Sequence, residues 1–161
     1  MTVRSIEVDV AILGAGTAGL TARRSAKKAG ASVLMIDPGP FGTTCARVGC
    51  MPSKLLIAAA DAAHHVRQAE QFGVRVAGVR VDGEAVLGRV QAERDRFVGF
   101  VNEAIDKARD AGEVLVGRAS IVGPGKLQVD GEHGPVEVRH RGLVIATGST
   151  PFVPPPFRGV D

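Results

Sequence analysis

Residues 8–37 contain the pattern that most restricts how this chain can fold. Val8-Asp-Val-Ala-Ile-Leu13 is a short apolar run of the kind that forms a buried strand. Gly14-Ala-Gly-Thr-Ala-Gly19 follows it as a turn, and Leu20 to Ala29 reads as a helix closed by Gly30. Val33-Leu-Met-Ile36 is a second strand, ending in Asp37 and a Pro38-Gly39-Pro40 break. The span has the length of one βαβ unit. In that context the three glycines have separate jobs. Gly14 makes the tight turn, Gly16 lets a pyrophosphate approach the backbone, and Gly19 lets helix and strand pack closely. The helix start, with Thr17 and Ala18 in its first turn, offers free N–H groups and a positive dipole end to phosphates. Asp37 is placed to accept hydrogen bonds from the ribose of an adenosine. The competing reading is a glycine-rich turn that carries no ligand.

The rest of the chain reads as an extension of this α/β start. Pro52 and Ser53 open a helix toward Phe72, with Leu56, Ala59, Ala60, Ala63 and Val66 as its apolar stripe. A second helix runs from Glu84 to Ala111, with Val90, Phe97, Val101, Ala104 and Ala108 on one face and a charged stretch at Glu93 to Arg96. From Glu113 the period becomes two. Residues 114–116 and 119–122 are short strands, and Leu127 and Val129 face Val136 and Val138 across an Asp130-Gly131 turn. Leu143-Val-Ile-Ala146 is a further buried strand running into Thr147-Gly148. Residues 1–150 therefore form one domain, and Pro151 to Asp161 form a stiff proline-rich linker. A chain that stops just past such a linker reads as cut.

Composition narrows the function classes. The 161 residues include 20 Lys plus Arg against 17 Asp plus Glu, and the excess is scattered. With only 4% aromatic residues, that makes a poor nucleic-acid footprint. It also means that a planar cofactor would be cradled by glycines and aliphatics. No run of 18 apolar residues exists to cross a membrane. Glu7 and Asp9 stand where a signal peptide would be cationic and then apolar, so a cytoplasmic location is expected.

Cys45 and Cys50 are the only cysteines, and they follow directly on the glycine pattern. Five helical steps would rise about 7.5 Å and turn the side chains apart. A disulfide needs Cα atoms within roughly 7 Å, so the segment must be irregular or tightly turned, which Gly42 and Gly49 permit. A redox pair, two unrelated thiols, half a metal site and a passive staple all fit the spacing. Metal is disfavoured because there is no second cysteine pair and no His nearby in sequence. His64 and His65 on the following helix read as surface residues, and His133 and His140 near the hairpin as solvated ones.

The run GTTCARVGCMPSK closely resembles the active-site segment of the flavin-dependent pyridine nucleotide–disulfide oxidoreductases, written GGTCxNxGCxPSK. GAGTAG in the first turn and ATGS at 146–149 also resemble that family, and the resemblance runs through essentially the whole chain. Within the family it is most like the dihydrolipoamide dehydrogenases, with mercuric and glutathione reductases as relatives. The resemblance implies an FAD-type Rossmann domain: a parallel sheet plus an antiparallel three-stranded meander. It implies that Cys45 attacks the substrate disulfide, that Cys50 faces the flavin and forms a charge-transfer pair when reduced, and that Lys54 sits near the flavin ring. By the same likeness Gly42, Thr43, Thr44 and Cys45 line FAD, Gly117 and Ala119 contact the adenine, and Ala146, Thr147 and Gly148 approach the cofactor closely. The implied substrate is a small-molecule or lipoyl-protein dithiol.

Family members are longer, with a second Rossmann domain for NAD(P)H, a return segment, and a dimerisation domain that supplies a His–Glu pair. NAD(P) binding and a homodimer would therefore belong to a full-length form. Three residues depart from the family pattern. Asp37 stands for the usual Glu, Thr43 for the second glycine, and Arg47 for the usual Asn, which adds a charge beside the pair. Two other readings remain: a non-catalytic nucleotide-binding module whose cysteines sense redox state, and a simple NAD-binding dehydrogenase domain. The latter has no reason to carry the cysteine motif.

Overall fold

In a computed structural model, residues 4–150 and 152–159 are described, and they fall into two compact units. One comprises the residues through Pro38 and those from Leu115 on; the other is Gly39–Val114.

The first unit is a five-stranded mixed sheet. Its strands are β1 (Arg4–Leu13), β2 (Val33–Asp37), β3 (Val114–Gly123), β4 (Lys126–Gly131) and β5 (Gly134–Ile145), with helix α1 (Thr17–Lys28) between the first two. β1 lies between β2 and β5 and runs parallel to both, while β3, β4 and β5 form an antiparallel meander. Hydrogen bonding closes the sheet on itself in the order β1-β2-β3-β4-β5. The expected architecture, a parallel sheet joined to a three-stranded meander, is present.

Strand length is where the structure differs from the sequence reading. β1 begins at Arg4, four residues before the apolar run, because Arg4 to Val8 pair with Val136 to His140 of β5. The two segments read separately around 136–138 and 143–146 are one continuous strand, and so are 114–116 and 119–122. Polar residues such as Arg139 and Arg141 interrupt the apolar pattern but continue the ladder. The hairpin turn lies at Glu132-His133, two residues later than expected, since Asp130 and Gly131 still pair with Pro135 and Gly134.

One face of the sheet encloses Ala11, Leu13, Leu34, Ile36, Leu127, Val129, Val136 and Val138. The alternation of strand side chains puts Ile12 and Met35 on the opposite face, and both are fully buried. A side-chain carbon added to Gly19 of α1 would lie 3.5 Å from the Ile12 Cγ2, so α1 covers that face. The helix ends as its composition predicts. Gly30 takes a left-handed conformation (φ +81°), and Ala31 N–H returns to the Ala26 carbonyl at 3.0 Å. His140 departs from its expected surface place: it is half-buried, and neither ring nitrogen has a hydrogen-bond partner.

The second unit is helical. α2 (Thr44–Val48) leads into α3 (Cys50–Gln68), a 3-10 turn at Ala69–Phe72, and α4 (Gly83–Asp110), which packs on α3. The expected helices are present. α3 starts two residues earlier than Pro52, because proline needs no hydrogen-bond donor in a first turn. α4 starts with Asp82, whose carboxylate accepts from Ala85 N–H at 3.0 Å. Its buried residues are Val90, Ile105 and Ala108, whereas Ala104 of the expected stripe is exposed. On α3, Leu56 and Val66 are likewise exposed. Among the described residues no helix is long and apolar enough to cross a membrane. In the proline-rich tail, Pro155–Phe157 closes one turn of 3-10 helix.

A polar clasp joins β1, the residue before β2, and β5 in the first unit. The Asp9 carboxylate accepts from the Ser32 hydroxyl (2.7 Å), the Ser32 amide (2.9 Å) and Arg141 (3.2 Å). The Ser32 hydroxyl, then its amide, then Arg141 hold the Asp9 carboxyl below its ordinary range. A carboxyl depressed in this way adds stability above its unfolded pKa and loses it as pH falls through the folded one. Asp9→Asn is therefore expected to unfold at lower urea than the parent at pH 7. That gap should narrow below about pH 4, and parallel urea titrations at the two pH values measure it.

Candidate functional site

The first unit gathers one group of expected residues at the C-terminal ends of β1, β2 and β5. Gly14 N–H donates to the Ile36 carbonyl at 2.8 Å, and Ala146 N–H donates to the Leu13 carbonyl at 2.8 Å. Gly14 is left-handed (φ +106°), and a Cβ there would run into the Ala146 carbonyl. A Cβ on Gly19 would strike the Gly14 carbonyl. These two glycines are thus required by the fold itself. Gly16 is not: its φ of −78° suits any residue, and nothing lies within 4 Å of where its Cβ would be.

Gly16 is also the N-cap of α1, which has no side-chain cap and no acidic residue in its first turn. α4, by contrast, has both Asp82 and Glu84 at its start. The exposed Thr17 and Ala18 open α1, and its first amides are left for an outside acceptor. A pyrophosphate fits this cradle: open space over Gly16, uncapped N–H groups and the positive end of a helix dipole.

Asp37 takes a place that the sequence did not reveal. Its Oδ2 accepts from the Ala15 amide at 2.7 Å, so the carboxylate is tied back to the glycine turn. The side chain is one methylene shorter than the Glu that the family resemblance leads one to expect. Thr147 and Gly148 are exposed just past β5. Gly117 and Ala119 are in β3 opposite Gly131 and Val129, and no described contact joins them to the glycine turn. A Cβ on Gly117 would lie 2.5 Å from the Asp130 carbonyl, and Ala119 packs on the core, so both have packing roles.

The second unit holds the two cysteines. The path between them is neither one helix nor a loop. α2 stops at Val48, Gly49 (φ −128°, ψ −111°) breaks the run, and α3 begins at Cys50. A Cβ on Gly49 would lie 3.1 Å from the Thr44 carbonyl, so the break folds tightly on itself. This sets Cys45 beside Cys50, with both present as free thiols. Cys50 is exposed at the first residue of a 19-residue helix, where unpaired amides favour negative charge. Lys54 lies one turn further along.

The Cys45 thiol is pushed above its ordinary value. The largest cause is the side-chain hydrogen bond to Cys50, followed by burial and the charge of Cys50; the Cys50 amide and the Lys54 ammonium act in the opposite direction. Arg47, read from sequence as an added charge beside the pair, is engaged elsewhere. Its Nη1 donates to the Pro40 carbonyl at 3.3 Å, and its stem lies against Gly42. Gly42 is itself buried and left-handed (φ +115°), with the Val98 Cγ1 only 2.8 Å from where a Cβ would be.

Thr43 is strained. Its backbone (φ +61°, ψ +148°) lies in a region that glycine normally occupies, at a cost of about 1–3 kcal/mol. Its hydroxyl accepts from the Ala46 amide at 3.2 Å. The alkylation rate of Cys45, followed against pH by mass spectrometry, reads the electrostatics of the pair. Cys50→Ser should move the Cys45 midpoint down, because the largest raising interaction goes. Lys54→Met should move it up, because a lowering charge goes.

Comparison with known proteins places this geometry in a family. The sequence profile described as "Pyridine nucleotide-disulphide oxidoreductase" matches residues 8–161. A dihydrolipoyl dehydrogenase of Bacillus subtilis is 35% identical over 159 residues, covering 92% of this chain and 33% of that protein. A glutathione reductase of Burkholderia cepacia is 34% identical over 149 residues (92% of this chain, 32% of that protein). A mercuric reductase of Streptomyces lividans is 35% identical over 153 residues (91% and 31%). The chain spans about a third of the length of the curated relatives it matches. With its glycine turn, its uncapped helix and its adjoining thiols, the chain belongs to the pyridine nucleotide–disulphide oxidoreductases, a family of FAD-binding oxidoreductases.

Proposed function

We propose that this chain is the FAD-binding, dithiol-bearing portion of an oxidoreductase that passes electrons between a dithiol or disulfide substrate, the Cys45–Cys50 pair, FAD and NAD. The observation that carries this reading is the thiol pair itself, which the break at Gly49 sets near enough for Cys50 to push the Cys45 thiol up. The uncapped α1 N-terminus and the open space at Gly16 support FAD, whose pyrophosphate would take the amides. Bound FAD supplies a two-electron acceptor for the dithiol.

In this reading a substrate thiolate attacks the Cys45–Cys50 disulfide at Cys45. A substrate–Cys45 mixed disulfide forms, and Cys50 leaves as a thiolate. The second substrate thiol then displaces Cys45, which leaves the substrate as a disulfide and the protein as a dithiol. Cys50 stands at the helix N-terminus, where negative charge is favoured, and Lys54 is the cation beside the pair. Cys45, with its raised thiol, needs a base to become a nucleophile in the reverse direction. Within the first unit we assign Asp37, at the end of β2, with Gly117, Ala119 and Ala146 to Gly148 to the cofactor, and by the family resemblance alone we assign Gly42 to Thr44 of the second unit to it as well.

Among dithiols we favour dihydrolipoamide, because Ser53-Lys54 resembles the lipoamide- and mercury-type segment. Similarity to the glutathione and mercuric reductases supports those reductions as the second reading. We propose a homodimer as the assembly and the cytoplasm as the compartment, where a close-spaced dithiol is kept in exchange.

Titrating the protein with FAD tests the cofactor directly. A yellow complex that releases FAD on denaturation is the expected result, and a colourless protein that binds NAD in preference would overturn it. Gly16→Val should abolish FAD retention while leaving the melting temperature near that of the parent. Gly19→Ala should lower stability by about 1–3 kcal/mol even without FAD. NADH formation from dihydrolipoamide should be negligible for these 161 residues alone, since His64 and His65 are exposed on α3 and, among the described residues, no hydrogen bond is shown between a histidine and Cys45. Turnover matching that of a dihydrolipoyl dehydrogenase would contradict this.

A further inference from the structure

Among the described residues, Thr43 is the only non-glycine with positive φ, and it sits two residues before Cys45. A glycine would adopt that backbone without strain, so the side chain must be judged by what it does. The Thr43 hydroxyl accepts from the amide of Ala46, the residue after Cys45. The Thr43 carbonyl accepts from the Arg47 amide at 3.1 Å. Cys45 is therefore bracketed by two bonds that both end on Thr43.

The helix these bonds serve is only five residues long and is cut at its other end by Gly49. So short a helix has little cohesion of its own and depends on its cap. Gly42, before it, is fixed against Val98 of α4 and the stem of Arg47. Thr43 thus joins an anchored residue to the turn that carries the sulfur.

We propose that Thr43 is a positioning residue for the thiol pair: its hydroxyl, aimed by a strained backbone, latches the turn that bears Cys45 and so sets where the Cys45 sulfur stands relative to Cys50. This rests on reading Cys45 and Cys50 as a redox couple. It adds the element that sets how readily they join.

The exchange to be measured uses glutathione disulfide as oxidant. The dithiol gives two electrons and two protons, forming the Cys45–Cys50 bond and releasing two glutathione thiols. Thr43→Ala removes the latch and keeps the strain, Thr43→Gly removes both, and Thr43→Ser keeps the hydroxyl. Equilibrated against graded glutathione ratios, Thr43→Ala and Thr43→Gly should shift roughly tenfold toward the dithiol, the scale of a lost cap. Cys45 should alkylate faster in both, because it escapes the Cys50 contact that raises it. Thr43→Ser should match the parent in both measurements.

A merely structural Thr43 would move the melting temperature and leave the thiol chemistry alone. Parent-like exchange and alkylation in Thr43→Ala and Thr43→Gly would therefore overturn the inference. So would Thr43→Ser behaving like Thr43→Ala. If the parent forms no Cys45–Cys50 disulfide at any glutathione ratio, the redox reading itself fails, and the alkylation rates still decide the role of Thr43.

Discussion

The contact between Gly19 of α1 and the Gly14 carbonyl is the constraint on which the first unit depends. No side chain fits there, so helix and turn meet backbone to backbone. That approach lets α1 lie on Ile12, which buries one face of β1, and it aims the first amides of the helix past the turn. Gly14 is fixed in turn by the Ile36 carbonyl on one side and the Ala146 carbonyl on the other. A substitution at Gly19 would thus disturb packing and ligand geometry together, whereas Gly16 touches only the second. Two glycines of one motif are separable because one is needed by the fold and the other, in the function proposed above, by the ligand.

The thiol pair is made by a different device. A continuous helix through residues 44–54 would turn Cys45 and Cys50 apart, and a loop would leave them mobile. The break at Gly49 gives each sulfur its own helix, one at the end of a short turn and one at the start of a long helix. Cys45 is thereby partly buried with its thiol pushed up, while Cys50 is exposed at a helix start. Two chemically identical residues become unequal through backbone geometry.

Much of this was legible in the sequence because glycines and apolar runs report backbone requirements directly. The βαβ unit, the Gly30 helix end and the need for an irregular path between the cysteines all followed from residue type and spacing. Long strands did not, because Arg139 and Arg141 continue a ladder that hydrophobic alternation cannot see. Side-chain direction was illegible for the same reason. Nothing in the spacing says that Arg47 turns to the Pro40 carbonyl or that Asp37 reaches back to Ala15. The strain at Thr43 was half visible: a threonine in a glycine position could be read, but not the amide that its hydroxyl meets.

The Asp37–Ala15 bond changes how any ligand would enter the first unit. A glycine-rich turn left to itself samples many conformations, and a ligand that selects one of them must offset the lost entropy. Here a carboxylate has already fixed the turn from the neighbouring strand, so that entropy is surrendered during folding. Association then proceeds with a receptor of settled shape, closer to lock and key than to induced fit.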